Sequence, residues 1–312
     1  MVAGGAGEET GARPRLHTFD NAFVVMGEGD DGAVLTAGAE LVAELCAFTQ
    51  LGQMTRPLEL SRHLHAEVIE HGVVGVDGAS YNYYHWLMNG LARACLCADV
   101  APPQAEILLP DIRAIPDGPG RIRAAVAEAS MEAVLAHRPR RFLAPGIHRV
   151  QKLHVLWTRP TAPTDIAGLS TLYDLFDQVA ARVATPKCAP HRRIYLSRRG
   201  AHDQRLPPAM QVELDTLLDR RGFEALDLFN MSFEDQVKAA TEAEVILGPH
   251  GAALTNLVFS PRQTKVIELT SRIGEETAYR PWYYQLCDGR GQPYGALDVC
   301  HPAWLDDLAA AI

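Results

Sequence analysis

Nowhere in the 312 residues do eighteen apolar residues run together, so the sequence offers no helix able to cross a membrane alone. The opening MVAGGAGEETGARPR also lacks the apolar core of a signal peptide, and residues 1–17 read as a disordered leader. Cysteine is sparse: Cys46, Cys95, Cys97, Cys188, Cys287 and Cys300 show no metal-ligand spacing. Cys95 and Cys97 fall in an apolar helical pattern and read as buried free thiols, a usage that suits a reducing cytoplasm. Positive charge is in deficit, 29 basic against 38 acidic residues for a net charge of −9, which argues against a general nucleic-acid binder. Internal repeats and low-complexity tracts are absent. Peripheral attachment at the inner face of a membrane stays open, although the cluster Arg138-Pro139-Arg140-Arg141 is too small to argue for it. No signal for an oligomeric state stands out.

What is present is the composition of a globular protein, 47% hydrophobic and 21% charged, over a length that accommodates two domains. The second half is the more regular. Arg192 to Ser197 predicts a strand, Pro208 to Arg220 a helix, Phe223 to Leu228 a strand, and Ser232 the start of a helix with Glu234 and Asp235 in its first turn. Val245 to Leu247, a helix from Ala252, and the strand Lys265 to Leu269 follow. Strands alternating with helices at this spacing indicate a parallel, Rossmann-like sheet. In the first half, Phe19 to Met26 and Ala33 to Thr36 predict paired strands around GEGDDG. Glu67 to Val76 and Glu106 to Leu109 predict strands, and Asn82 to Ala98 and Pro119 to Ala136 helices. A long helix over Thr164 to Thr185 joins the halves. The domains are therefore expected at 18–160 and 161–312, with the amphipathic tail from Tyr279 to Ile312 able to cross back to the first.

The stretch GPHG, Gly248 to Gly251, is the most informative turn. It carries a histidine from the end of a buried strand into a helix, at the edge where parallel sheets bind ligands. Helix N-terminal N–H groups from Gly251 and Ala252 suit a phosphate, Gly251 permits close approach, and His250 can add a donor. A tight turn whose histidine caps local backbone is the alternative. In SRRGAHDQR, Ser197 to Arg205, the guanidiniums of Arg198 and Arg205 stand at the same edge and could grip a diphosphate, or could be solvated surface charges. Glu268 in KVIEL could accept ribose hydroxyls or form a strand-end ion pair. SYNYYHWL places His85 in a helix's first turn beside Asn82 and Tyr84, following a loop that contains Asp77. That histidine is either cleft-facing or structural. The set His63-x-His65 with His71 could ligate metal but lacks a supporting carboxylate pattern, so no metal site is assigned.

Taken in order, NYYHWL, IYLSRRGAHDQR, SFEDQVKAATEAEVILGPHGAALTNLVF and KVIEL resemble the family 61 glycosyltransferases, in their bacterial, capsular-polysaccharide-type branch. Ala253 stands where that family often has a second glycine. The resemblance implies a GT-B-like α/β fold of two Rossmann-like domains facing a central cleft. It implies inverting transfer from a nucleotide-diphosphate sugar, a UDP-sugar first, to a hydroxyl of a glycan or glycoconjugate in cytoplasmic polysaccharide biosynthesis. On that reading Ser197, Arg198, Arg205, His250, Gly251, Ala252, Asn256 and Glu268 form the donor side. Asn82 and Tyr84 lie on the acceptor side, and His85 or Asp77 takes the acceptor's proton. In its helix's first turn His85 meets the positive dipole end, which favours the neutral imidazole a base requires. Single-domain sugar transferases commonly hold Mg²⁺ or Mn²⁺ with Asp-x-Asp, which this sequence lacks, so leaving-group stabilisation without metal and no other cofactor are expected. Two other readings use the same residues: a nucleotide-sugar epimerase, and a non-catalytic glycan- or nucleotide-binding scaffold.

Overall fold

Two sheets, one mixed and one wholly parallel, organise the computed structural model, which describes residues 15–26, 32–42, 67–75, 81–111, 121–157, 170–184, 189–198, 206–270 and 282–312. In the first sheet, β1 (Arg15–Met26) and β2 (Gly32–Leu35) form the expected antiparallel pair, with Met26 opposite Gly32. The strand β3 (Val68–Val74) leads to a helix, and β4 (Glu106–Pro110), α2 (Ala124–Leu135) and β5 (Arg140–Leu143) follow. A twelve-residue strand, β6 (Gly146–Trp157), then enters the middle of the sheet, in the order β2-β1-β6-β3-β4-β5. It pairs antiparallel with β1 and parallel with β3, so the hairpin borders an otherwise parallel sheet.

The first-half helix departs from the expected form. Asn82 caps it, its Oδ1 accepting from the Tyr84 amide at 3.0 Å. The chain then winds as a π-helix over His85–Ala92 before α1 (Arg93–Val100) resumes α geometry. All eight π-helical residues are buried, so packing rather than propensity sets the winding. Gly90 allows it to pass close to β3's end, since a Cβ there would lie 3.3 Å from the Gly75 carbonyl oxygen.

The second half follows the predicted alternation closely. It contains α3 (Ser170–Val183), β7 (Arg192–Leu196), α4 (Pro208–Arg220), β8 (Glu224–Leu226) and α5 (Phe233–Thr241). These lead into β9 (Ala243–Pro249), a 3₁₀ helix over Ala252–Phe259, and β10 (Lys265–Thr270). Pro208 stands in the first turn of α4, and Ser232 caps α5 by accepting from the Asp235 amide at 3.1 Å. The helix expected from Ala252 is 3₁₀ rather than α: Leu254 to Phe259 are all buried, and packing again sets the turn.

The tail touches the first half at Trp282, which stacks on Tyr84, and its later elements join the second sheet. After α6 (Trp282–Arg290), β11 (Tyr294–Asp298) adds a parallel edge strand beside β10 instead of returning to the first sheet. α7 (Trp304–Ala311) then buries Trp304 and Leu308 against Leu214, Leu218, Leu247 and Ile267. The sheet order is β11-β10-β9-β7-β8, all parallel. From β7 the chain moves to β8 on one side and then to β9 on the other. The order therefore reverses between β7 and β9, which opens a crevice at their carboxyl ends.

A contiguous apolar cluster links the helix layers of both sheets, from Trp86 and Met131 to Phe176, Val237 and Phe259. One buried polar tie crosses it. The Tyr83 hydroxyl donates to Asn256 Oδ1 at 3.1 Å, and burial pushes that hydroxyl's pKa well above the ordinary tyrosine value. Tyr83→Phe leaves the amide oxygen unsatisfied and is expected to cost about 1–3 kcal/mol in a denaturant titration. A cost near zero would show that the tie contributes nothing.

Across β1, β6 and β3, Thr18 Oγ1 lies 3.0 Å from His154 Nδ1, and His154 Nε2 lies 3.5 Å from His71 Nδ1. Burial, then His71 and Lys152, lowers the His154 pKa. A depressed folded value means that the ring's stability contribution is full above the unfolded pKa of about 6.5 and is lost as pH falls through the folded value. The urea midpoint should therefore drop on acidification, and His154→Gln should flatten that slope. Equal slopes in the two proteins would refute the assignment.

Candidate active site at the β7–β9 crevice

Five of the eight predicted donor-side residues, Ser197, Arg198, His250, Gly251 and Ala252, lie at the edge of this crevice. Ser197 and Arg198 follow β7 directly, with the Ser197 amide pairing to the Leu226 carbonyl at 2.8 Å. Across from them β9 ends at Pro249, and the His250 amide donates to Leu269 O at 2.8 Å, extending the ladder to β10 by one residue. The Arg198 guanidinium lies over Gly251: a Cβ added there would collide with Nη1, with Cζ 3.3 Å away. Gly251 is thus the residue that makes room for the arginine head. Its carbonyl accepts from the Tyr283 hydroxyl at 2.7 Å, and no side chain caps the 3₁₀ helix that begins at Ala252. The turn presents a guanidinium, an imidazole and helix-end amides at one edge, a combination suited to a diphosphate. Arg205 lies outside the described residues.

Two donor-side residues take other positions. Glu268 is fully buried behind His250 rather than open to a ribose. One carboxylate oxygen pairs with His250 Nδ1 and the other accepts from the Tyr294 hydroxyl at 2.5 Å. Its alternative, an ion pair at the strand end, is the closer description. Asn256 is buried as well, and its amide binds Tyr83, Gln236 Oε1 at 3.3 Å and Ala253 O at 3.1 Å. It ties helices together instead of facing a ligand.

On the opposite wall, His85 is 6% exposed and lies edge-on to Tyr84 and to Trp282, at 5.1 and 5.7 Å between ring centroids. Asn89 Nδ2 stands 3.1 Å from His85 Nδ1. With the amide so oriented the neutral ring carries its hydrogen on Nε2, and turning the amide over moves that hydrogen to Nδ1. Tyr84 stacks on Trp282 at 5.2 Å, and Trp282 reaches His250 at 6.5 Å. Trp282 and Tyr283 therefore bridge the two walls, joining the histidine of the first half to the histidine of the second. Sequence reading passed over both, although WYY beside the tail's apolar pattern was the available signal. Asn82 serves as the helix cap and Tyr84 is buried in the aromatic stack.

Asp77, His63 and His65 lie outside the described residues. His71 pairs with His154, and among the described residues no group of three His, Cys, Asp or Glu could hold a metal ion. Cys95, Cys97 and Cys287 are buried free thiols, and Cys300 is an exposed one.

The family model described as Glycosyltransferase 61 matches residues 83–267, from the Tyr83–His85 turn through GPHG to β10. A 74-residue stretch, 24% of this chain, is 34% identical to a Beta-1,2-xylosyltransferase of Arabidopsis thaliana and covers 13% of that protein. Seventy residues, 22% of the chain, are 33% identical to Beta-1,2-xylosyltransferase RCN11 of Oryza sativa subsp. japonica, covering 12% of it. The matches thus span about an eighth of these relatives' lengths. The family match itself extends over more than half of the 312 residues, and the chain belongs to the glycosyltransferase 61 family.

Proposed function

We propose that this chain is an inverting, metal-independent glycosyltransferase that moves a sugar from a nucleotide-diphosphate sugar to a hydroxyl of a glycan or glycoconjugate. The observation that carries the reading is the placement of Arg198, Gly251 and His250 at the β7–β9 crevice, where the strand order reverses. The two halves, 18–160 and 161–312, act as acceptor-side and donor-side domains in a GT-B-like arrangement. Arg198, His250 and the helix-end amides hold the departing diphosphate, with Arg205 as a second cation. His85 takes the acceptor's proton, with Asp77 as the alternative base. A UDP-sugar is the first donor to try, and the names of the plant relatives put UDP-xylose in that panel. Resemblance to the capsular-polysaccharide-type branch points to a surface glycan as acceptor, assembled in the cytoplasm at the inner membrane face.

Thermal shift with UDP, GDP and CMP tests the donor site, because a ligand that binds only the folded state raises the melting temperature. A panel of nucleotide sugars with glycan acceptors then tests transfer. An epimerised donor without a transfer product would make the protein an epimerase, and no shift with any nucleotide would make it a scaffold. EDTA is expected to leave transfer nearly intact. Loss of activity in EDTA and recovery with Mn²⁺ would overturn metal independence.

A further inference from the structure

Three neighbouring parallel strands contribute one side chain each to a line that ends in the crevice. His250 follows β9, Glu268 lies in β10 opposite Gly248 of β9, and Tyr294 opens β11. The buried Glu268 carboxylate joins the other two, one oxygen to His250 Nδ1 and one to the Tyr294 hydroxyl at 2.5 Å. A carboxylate only accepts hydrogen bonds, so His250 Nδ1 must carry a hydrogen. Nε2, on the far side of the ring, is then the atom through which His250 gains and loses a proton. The ring is 24% exposed while Glu268 behind it is fully buried, so the proton-exchanging edge faces the crevice and the fixed edge faces the core.

We propose that Glu268 and Tyr294 are a buried positioning pair that locks the His250 tautomer and makes His250 the proton donor to the leaving diphosphate. This rests on the donor-site reading above. In the step, the bond between sugar C1 and the β-phosphate oxygen breaks, and its electron pair stays with that oxygen. The acceptor oxygen bonds C1 and gives up its hydrogen to the base on the opposite wall. The Nε2 hydrogen of the His250 imidazolium passes to the diphosphate, and both histidines return to their starting states by exchange with water. Glu268 supplies the negative charge that offsets the imidazolium, and the Tyr294 hydroxyl satisfies the second carboxylate oxygen. The arrangement places a proton donor beside Arg198, so that charge and proton reach the departing phosphate together.

The test is ¹⁵N NMR of histidine-labelled full-length protein, with His250→Gln to assign the ring among the twelve histidines. Above neutrality the wild type should show hydrogen on Nδ1 and a bare Nε2, and added UDP should shift Nε2. Glu268→Gln should lose the Nδ1 preference and lower kcat by about 10²–10⁴-fold, with a much smaller change in the donor KM. Tyr294→Phe, which leaves the Glu268–His250 contact in place, should lose less and guards against a Glu268 variant that fails to fold. A wild-type ring with its hydrogen on Nε2, or a Glu268→Gln protein that keeps both tautomer and kcat, overturns the proposal. If the tautomer is as expected but UDP leaves Nε2 unmoved, the donor-site reading fails and takes the proton-donor role with it, while the lock stands.

Discussion

Turnover of the His85→Ala protein is expected to fall by about 10²–10⁴-fold, the range in which a positioned general base contributes. Nucleotide affinity should be nearly unchanged, because Arg198 and His250 come from the other sheet and keep their places. The imidazole packs perpendicular to the stacked rings of Tyr84 and Trp282, so its removal also leaves a small cavity. A thermal melt run alongside separates that cost from catalysis. Steady-state kinetics then decide the assignment. Near-normal turnover for His85→Ala with loss for Asp77→Ala moves the base to Asp77. Near-normal turnover in both makes His85 a structural residue of the aromatic stack.

The second large effect belongs to Gly251. An alanine methyl there would occupy the space of the Arg198 guanidinium and push that side chain out of place. The backbone there, at φ 158° and ψ 168°, is strained for any residue with a side chain, so Gly251→Ala is expected to lower the melting temperature as well as weaken UDP binding. Arg198→Ala removes the same charge-assisted contact, about 1.5–3 kcal/mol or roughly 10–150-fold in Kd. Because both changes displace one group, the double variant should be no weaker than Arg198→Ala alone, measured by calorimetry. Additive losses would mean that Gly251 and Arg198 act separately.

Much of the second half was legible because its local signals agree. Pro208 opens α4, Ser232 caps α5, and the apolar runs before GPHG and in KVIEL become β9 and β10. The meeting of Arg198 with GPHG was legible for the same reason, since parallel strands bring their carboxyl-end loops to one edge. What escaped depends on distant partners. β6 has a polar first half and an apolar second half, matching neither a clean alternation nor a buried run, and β5 was hidden in what reads as a basic cluster. β11 went unread, and with it Tyr294, so Glu268 looked available to a ribose. Asn256 meets Tyr83 across 173 residues of sequence, a contact that no local pattern encodes. The π-helical winding at His85 likewise comes from burial on every side rather than from residue preference.

The central position of β6 has a consequence for biosynthesis. Arg15 pairs with Trp157, so β1 leaves the ribosome well before its long partner and finds it only after the rest of the first half has been made. Until then the edge that β6 will cover has unpaired N–H and C=O groups along a strand that ends in Phe-Val-Val-Met, the kind of edge that recruits other chains. Closing so long a loop also makes this pairing a slow step in assembly. A fragment of the first half that stops short of Trp157 would leave β1 and β3 without the strand that separates and joins them. A recombinant first half therefore has to run through β6 to avoid aggregating.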